Sequence, residues 1–202
     1  GGSKGIGKEA ARQFATAGAD VAICSRNEDE ITSAADEINE SDASGTVLGV
    51  RCDVTDESDV TGFVDSVVDE FGPVDTLINN VGDSIDDGKL HEIDEETWDT
   101  NFEVNLKGTF LCSREVLPHM VERGGGSLVH ISAINAQTGI GYTAYSAAKN
   151  ALHSFSRVVA TQYGNHGIRS NVILPGTIST DSRADKREAV EDSARDQLLD
   201  QY

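Results

Sequence analysis

The sequence predicts an α/β domain, a doubly wound parallel sheet with helices on both faces, on three observations. Short aliphatic and β-branched runs alternate with longer helical stretches, the order that βαβ units produce. A glycine-rich segment, Gly1-Gly2-Ser3-Lys4-Gly5-Ile6-Gly7, opens directly into the first helical pattern, as phosphate-binding loops do in such folds. The 202 residues are 38% hydrophobic, enough for one sizeable core. No apolar run approaches the roughly 18 residues that cross a bilayer.

In chain order, the first helix (4–17) carries Ile6, Ala10, Phe14 and Ala17 on one stripe, and Gly18 stops it. Strands follow over 20–25, 46–52, 76–79, 127–132 and 169–174, each brief and mostly β-branched or aliphatic. Helices are predicted over 58–71, 101–123 and 144–163, and 185–202 reads as a further helix. No linker or repeat divides the chain, so 1–202 is expected to be a single domain. A glycine loop of this kind ordinarily follows a strand, and a last helix ordinarily leads to another. The chain is therefore expected to lack the first and last strands and to be a fragment of a longer protein.

Sixteen Lys+Arg against 35 Asp+Glu give a net charge of −19, and a pI near 4.4. That field repels nucleic acid and anionic lipid, so neither is an expected partner. Acidic clusters such as Glu28-Asp29-Glu30, Asp56-Glu57, Asp86-Asp87 and Asp94-Glu95-Glu96 read as a solvated surface, and a halophilic source with stability rising in salt is expected. Cys24, Cys52 and Cys112 form no CxxC pair and read as reduced thiols in a cytoplasmic protein without a targeting leader.

The spacing Gly1-x-x-x-Gly5-x-Gly7 at a helix start lets backbone N–H groups approach a dinucleotide pyrophosphate. A plain turn would explain three glycines equally well. At the end of the strand over 20–25 stand Ser25 and Arg26, where an NAD site would carry Asp or Glu. Arg26, with Lys4 assisting, matches a 2′-phosphate, so NADP(H) is favoured and NAD(H) remains open. Tyr145 and Lys149 lie four residues apart on one helical face. Lowering a phenol from its usual pKa of about 10 to about 7 takes roughly 4 kcal/mol, which one ammonium about 4 Å away supplies. Taken alone, a Tyr and Lys at this spacing read as a helix surface pair sooner than as a catalytic couple, and the motif becomes specific only in company. Ser132, at a strand's carboxyl end, can orient a carbonyl oxygen beside the phenol. Asn105, a weak helix former within a predicted helix, can hold a water, kink the backbone or merely face solvent.

The five histidines (91, 119, 130, 153 and 166) show no metal-ligand spacing, and Ser132 lacks a GxSxG elbow, so neither a metal site nor a serine hydrolase is expected.

The ordered set of the glycine segment, Asp53-Val54, Asn79-Asn80-Val81-Gly82, Asn105, Ser132, Tyr145-x-x-x-Lys149 and Pro175-Gly176 resembles the short-chain dehydrogenase/reductase family across essentially the whole chain. The resemblance implies a Rossmann-like fold and an NAD(P)-dependent oxidoreductase that moves a hydride between a nicotinamide cofactor and a carbonyl or secondary alcohol. It implies Tyr145 as general acid/base, Lys149 lowering its pKa and holding the nicotinamide ribose, Ser132 positioning the substrate oxygen, and Asn105 sustaining a water-linked proton relay. For the cofactor it implies Gly1, Ser3, Lys4, Gly5, Ile6 and Gly7 at the phosphates and Asp53 and Val54 at the adenine. Asn79 and Gly82 come beside the cofactor, and Pro175, Gly176, Ile178 and Thr180 around the nicotinamide. Val81 replaces a common alanine and crowds the cofactor slightly. Members of the resembled family reduce 3-oxoacyl groups or oxidise sugars and polyols, and both substrate classes stay open, as does a cofactor-binding but inactive protein. Arg123 offers a contact for an acidic acyl carrier. Family resemblance also implies a homodimer or homotetramer through the helices holding Asn105 and Tyr145.

Overall fold

In the computed structural model, residues 1–85, 88–138, 141–176 and 178 are described. They form α1 (Gly5–Thr16), β1 (Val21–Ser25), α2 (Glu28–Asn39), β2 (Val47–Arg51), α3 (Glu57–Phe71), β3 (Thr76–Asn79), α4 (Glu95–Phe102), α5 (Gly108–Arg123), β4 (Gly126–Ile131), α6 (Asn135–Thr138), α7 (Thr143–Tyr163) and β5 (Ile168–Ile173). All five strands fall within one residue of their predicted bounds at either end. The stretch 185–202, predicted helical, lies outside the described residues.

One helical feature adds to the sequence reading and another differs from it. The cluster Glu28-Asp29-Glu30, expected as plain surface, is the first turn of α2, capped by the Asn27 side chain accepting from the Glu30 N–H at 3.1 Å. Asp56 and Asp94 likewise cap α3 and α4, accepting backbone N–H bonds of 2.8 and 2.7 Å. Negative charge at these ends opposes the positive pole of each helix dipole and satisfies its orphan donors, so much of the acidity has a local structural use. The single helix predicted over 101–123 is instead α4, a π-helical segment at Glu103–Lys107, and α5. The cause is Asn105, whose Nδ2 donates to the Asn101 carbonyl at 2.9 Å and competes for an acceptor that a regular helix would give to backbone.

Every strand pair is parallel. β1 pairs with β2 in one piece, and β3, β4 and β5 follow in order in another. The glycine segment bridges them: the Gly2 N–H donates to Cys24 O at 3.1 Å on the β1 side, and Asn80 Nδ2 donates to Gly1 O at 2.7 Å on the β3 side. Strand alternation puts Ile23 among Ala11, Ala15, Ile31 and Ile38 of α1 and α2, while Cys24 packs with Val60 of α3 and Leu111 and Cys112 of α5. The helices thus cover both faces. Around β3 to β5 the core is Val64, Val116, Met120, Leu128, Val159 and Ile168. All three cysteines are free and buried. No helix among the described residues is long and apolar enough to cross a membrane.

Candidate active site

The carboxyl ends of β1, β2 and β3 open onto a cleft of about 280 Å³. Gly1, Lys4, Ser25, Arg26, Asp53, Val54 and Gly82 line it, all seven expected at a cofactor, together with Asn80 and Thr55, which were not. Ser3 precedes α1, and Gly5, Ile6 and Gly7 form its first turn. Gly7 has no alternative: a Cβ there would overlap Gly1 O and come within 2.6 Å of Asn80 Nδ2. Close backbone approach and an N-terminal turn without a side-chain cap at Lys4 leave N–H groups for a phosphate.

Charge in the cleft is partly committed. Lys4 Nζ pairs with Glu30 at 3.0 Å, while Arg26 and Asp53 both line the cleft. Burial pushes the Asp53 carboxyl up, but hydrogen bonds from the Thr55 N–H and hydroxyl, with the charge of Arg26, outweigh it and hold the group below its ordinary value. The cradle and its donors fit a dinucleotide. Farther along, the Ile134 N–H donates to Pro175 O at 3.0 Å, which fixes the start of the segment with Gly176 and Ile178. Thr180 lies outside the described residues.

Beside this cleft the side chains of α7 meet the loop after β3. Lys149 is 3% exposed, and its ammonium donates to Ile131 O at 3.1 Å and to Val81 O at 3.4 Å. Burial pushes its pKa down to about 8, so at neutral pH it keeps most of its charge. The ammonium stands 5.9 Å from the centre of the half-buried Tyr145 ring. Gly82 lies against it, where a Cβ would overlap Lys149 Nζ and come within 2.9 Å of Asn105 Oδ1. Asn105 is fully buried and sewn to the same loop, donating to Asp83 O at 2.9 Å and accepting from the Asp83 N–H at 3.2 Å. The π-helical segment is what turns its amide to that loop.

Two predicted side chains point into the interior. The Ser132 hydroxyl donates to Lys149 O at 2.9 Å and contacts His153 Nε2 at 3.2 Å, inside the joint between β4 and α7. The Asn79 amide contacts Ser113 Oγ and His130 Nδ1, both at 3.1 Å, while its neighbour Asn80 reaches the glycine segment. His130, His153 and Asn101 escaped the sequence reading because their partners are remote in the chain. Asn101 shows the only partial signal, lying four residues before Asn105, one helical turn. Its Oδ1 is buried without a partner. Among the described residues no group of three metal-ligating side chains converges.

The model of the short chain dehydrogenase family matches residues 1–191. An uncharacterized oxidoreductase of Bacillus subtilis, YxbG, is 36% identical over 181 residues, covering 89% of this chain and 65% of that protein. The (2S)-[(R)-hydroxy(phenyl)methyl]succinyl-CoA dehydrogenase subunit BbsD of Thauera aromatica is 38% identical, with 89% and 71% covered. Among solved structures, an actinorhodin polyketide ketoreductase variant with NADPH superposes with a TM-score of 0.87 at 32% identity, covering 95% of this chain and 74% of that one. This chain spans about two thirds of the length of the curated relatives it matches.

Proposed function

The chain belongs to the short-chain dehydrogenase family, and on that premise we propose that it reduces a carbonyl, or oxidises a secondary alcohol, with Tyr145 as the proton-transferring group. The observation that carries this reading is the convergence of Tyr145, the buried Lys149 ammonium, Gly82 and Asn105 beside a glycine-lined cleft. A nicotinamide, when bound, supplies or accepts the hydride at the substrate carbon. Tyr145 gives its phenolic proton to the carbonyl oxygen, or takes it from the alcohol in the reverse direction. The Lys149 ammonium stabilises the phenolate left behind and is placed to hold the ribose. Asn105 holds the Gly82–Asp83 backbone over that ammonium and supports a water-linked proton path to it.

NADP(H) is the proposed cofactor, because Arg26 lines the cleft and Ser25 stands where an acidic residue would bind the 2′-hydroxyl of NAD. A 3-oxoacyl substrate is favoured by the likeness to a polyketide ketoreductase. Arg123 supports an acyl carrier less directly, being paired with Asp75. Half-exposed Phe110 on α5 and Val158 on α7 support assembly as a homodimer or homotetramer. The deciding experiment follows nicotinamide fluorescence as NADPH and NADH are added to the intact protein, then turnover of a 3-oxoacyl thioester against a polyol. Tight NADPH binding with thioester reduction supports the reading, whereas binding without any turnover indicates an inactive relative.

A further inference from the structure

Two basic side chains line the cofactor cleft, Lys4 immediately before α1 and Arg26 immediately after β1, and they differ in what they hold. Arg26 acts on Asp53 through its charge, while the Asp53 carboxylate takes its hydrogen bonds from Thr55. Lys4 is in direct contact with an acid, its Nζ donating to Glu30 Oε1 at 3.0 Å. Glu30 belongs to the first turn of α2, where its N–H is held by Asn27 Oδ1 at 3.1 Å. Its backbone is therefore fixed, whereas its side chain, 39% exposed, and that of Lys4, 61% exposed, have room to turn.

A 2′-phosphate entering the cleft thus meets one of the two cations already engaged. An ammonium has three donors and can bond two acceptors, but two anions on one ammonium repel each other. Glu30 keeps the positive pole of α2 when Lys4 leaves it, and an exposed ion pair is weakly held, so the lysine can change partners at small cost. Nothing comparable opposes a ribose that carries only a 2′-hydroxyl. We propose that Glu30 is a specificity-determining residue, an internal counter-anion that Lys4 exchanges for the 2′-phosphate, which holds NADPH affinity down and leaves NADH affinity unaltered. The proposal rests on the NADP(H) reading given above.

The test titrates adenosine 2′,5′-bisphosphate and adenosine 5′-monophosphate by calorimetry, and NADPH and NADH by fluorescence. The proteins are intact wild type, Glu30→Gln, Glu28→Gln, Lys4→Met and the Lys4→Met/Glu30→Gln double variant. Glu30→Gln should tighten the bisphosphate and NADPH about three- to fivefold, with the monophosphate and NADH within about 1.5-fold of wild type. Glu28→Gln removes a carboxylate from the same turn without touching the pair, and should gain no more than about twofold. Lys4→Met should weaken the bisphosphate about fivefold, and adding Glu30→Gln to it should recover less than about twofold, because the exchanging partner is gone. Equal gains in Glu28→Gln and Glu30→Gln, or equal gains with and without Lys4, would assign the effect to the general negative field and overturn the exchange. Unchanged bisphosphate affinity in Glu30→Gln overturns it too, as does weakened monophosphate or NADH binding, the behaviour of a lost ribose ligand. A wild type that takes both fragments equally defeats the NADP(H) reading. In that event a bisphosphate gain in Glu30→Gln still upholds the exchange, and no gain overturns both.

Discussion

Around β1 and β2 the interior is aliphatic and the charges sit outside, whereas around β3, β4 and β5 polar groups run through the interior itself. In the first region Ala11, Ile23, Ile31, Ile38 and Val47 fill the core, and the paired charges, Lys4–Glu30 at 3.0 Å and Lys8–Glu37 at 2.6 Å, lie at the surface. In the second, a buried column passes from Ser113 through Asn79 and His130 to Ser170 and Ser156, in steps of 2.9 to 3.1 Å. Exposed pairs contribute about 0–1 kcal/mol each and leave side chains free to rearrange around a ligand. A satisfied buried network fixes strand register and side-chain orientation together. The cleft that fits a dinucleotide therefore belongs mainly to the adaptable region, and Tyr145 and Lys149, the side chains proposed to handle the proton, belong to the rigid one.

The largest effect should come from removing the group that distinguishes chemistry from binding. Tyr145→Phe is expected to lower kcat by about 10²–10⁴-fold, the usual worth of a positioned acid or base, while NADPH affinity stays within about threefold of wild type. Stopped-flow turnover beside a fluorescence titration checks this. Equal losses in turnover and in affinity would mean that the two regions do not divide the work in this way.

Next comes the buried column. Burial pushes His130 from its ordinary 6.5 down to about 4, which corresponds to about 3 kcal/mol between its protonation states. At neutral pH both folded and unfolded chains carry the neutral ring, and the fold has its full stability. As pH falls below 6.5 the unfolded chain takes up a proton that the folded one refuses until about 4, so stability declines across that window. Urea unfolding between pH 7 and 5 should show the slope, and His130→Asn should flatten it while lowering stability at pH 7 by about 1–3 kcal/mol. An unaltered slope in the variant would place the acid sensitivity elsewhere.

The same division explains what could be read from residues alone. Strands, the glycine segment and the Tyr145–Lys149 pair are local patterns, in which spacing of a few residues fixes the geometry. The acidic clusters were legible as charge but not as helix caps, because capping depends on where the preceding backbone turns. Ser132 was legible as a strand-end hydroxyl, yet its direction depends on Lys149 and His153 of α7, 17 and 21 residues away. His130 looked like one histidine among five, since its partners Asn79 and Ser170 are 51 and 40 residues distant. Long-range polar pairing leaves no periodic trace in a single sequence.

A smaller effect sharpens the cofactor side. Arg26→Asp should weaken NADPH binding roughly tenfold and NADH binding much less, because only the former brings a 2′-phosphate to the cleft and one charge-assisted contact is worth about 1.5–3 kcal/mol. Parallel titrations at one ionic strength measure it. Equal weakening of both nucleotides would make Arg26 a general support of the cleft.

Salt should have the mildest effect, and it separates the two regions by a different route. Thirty-five acidic groups against sixteen basic ones repel across the surface, and the screening length shrinks from about 10 Å at 0.1 M to about 3 Å at 1 M salt. Screening also weakens Lys4–Glu30 and Lys8–Glu37, but each such pair is worth little, so the loss of repulsion should win. Adding KCl should therefore raise the melting temperature, by roughly 2–4 °C for each kcal/mol of repulsion removed. The gain should show in hydrogen exchange of the surface helices α2 and α3, reduced at their acidic first turns, where salt also screens the favourable contact with the helix dipole. It should be least in α7, whose contact with β4 is made by buried groups that salt does not reach. A melting temperature that falls steadily with KCl would show that the surface pairs hold more of the fold than their exposure implies.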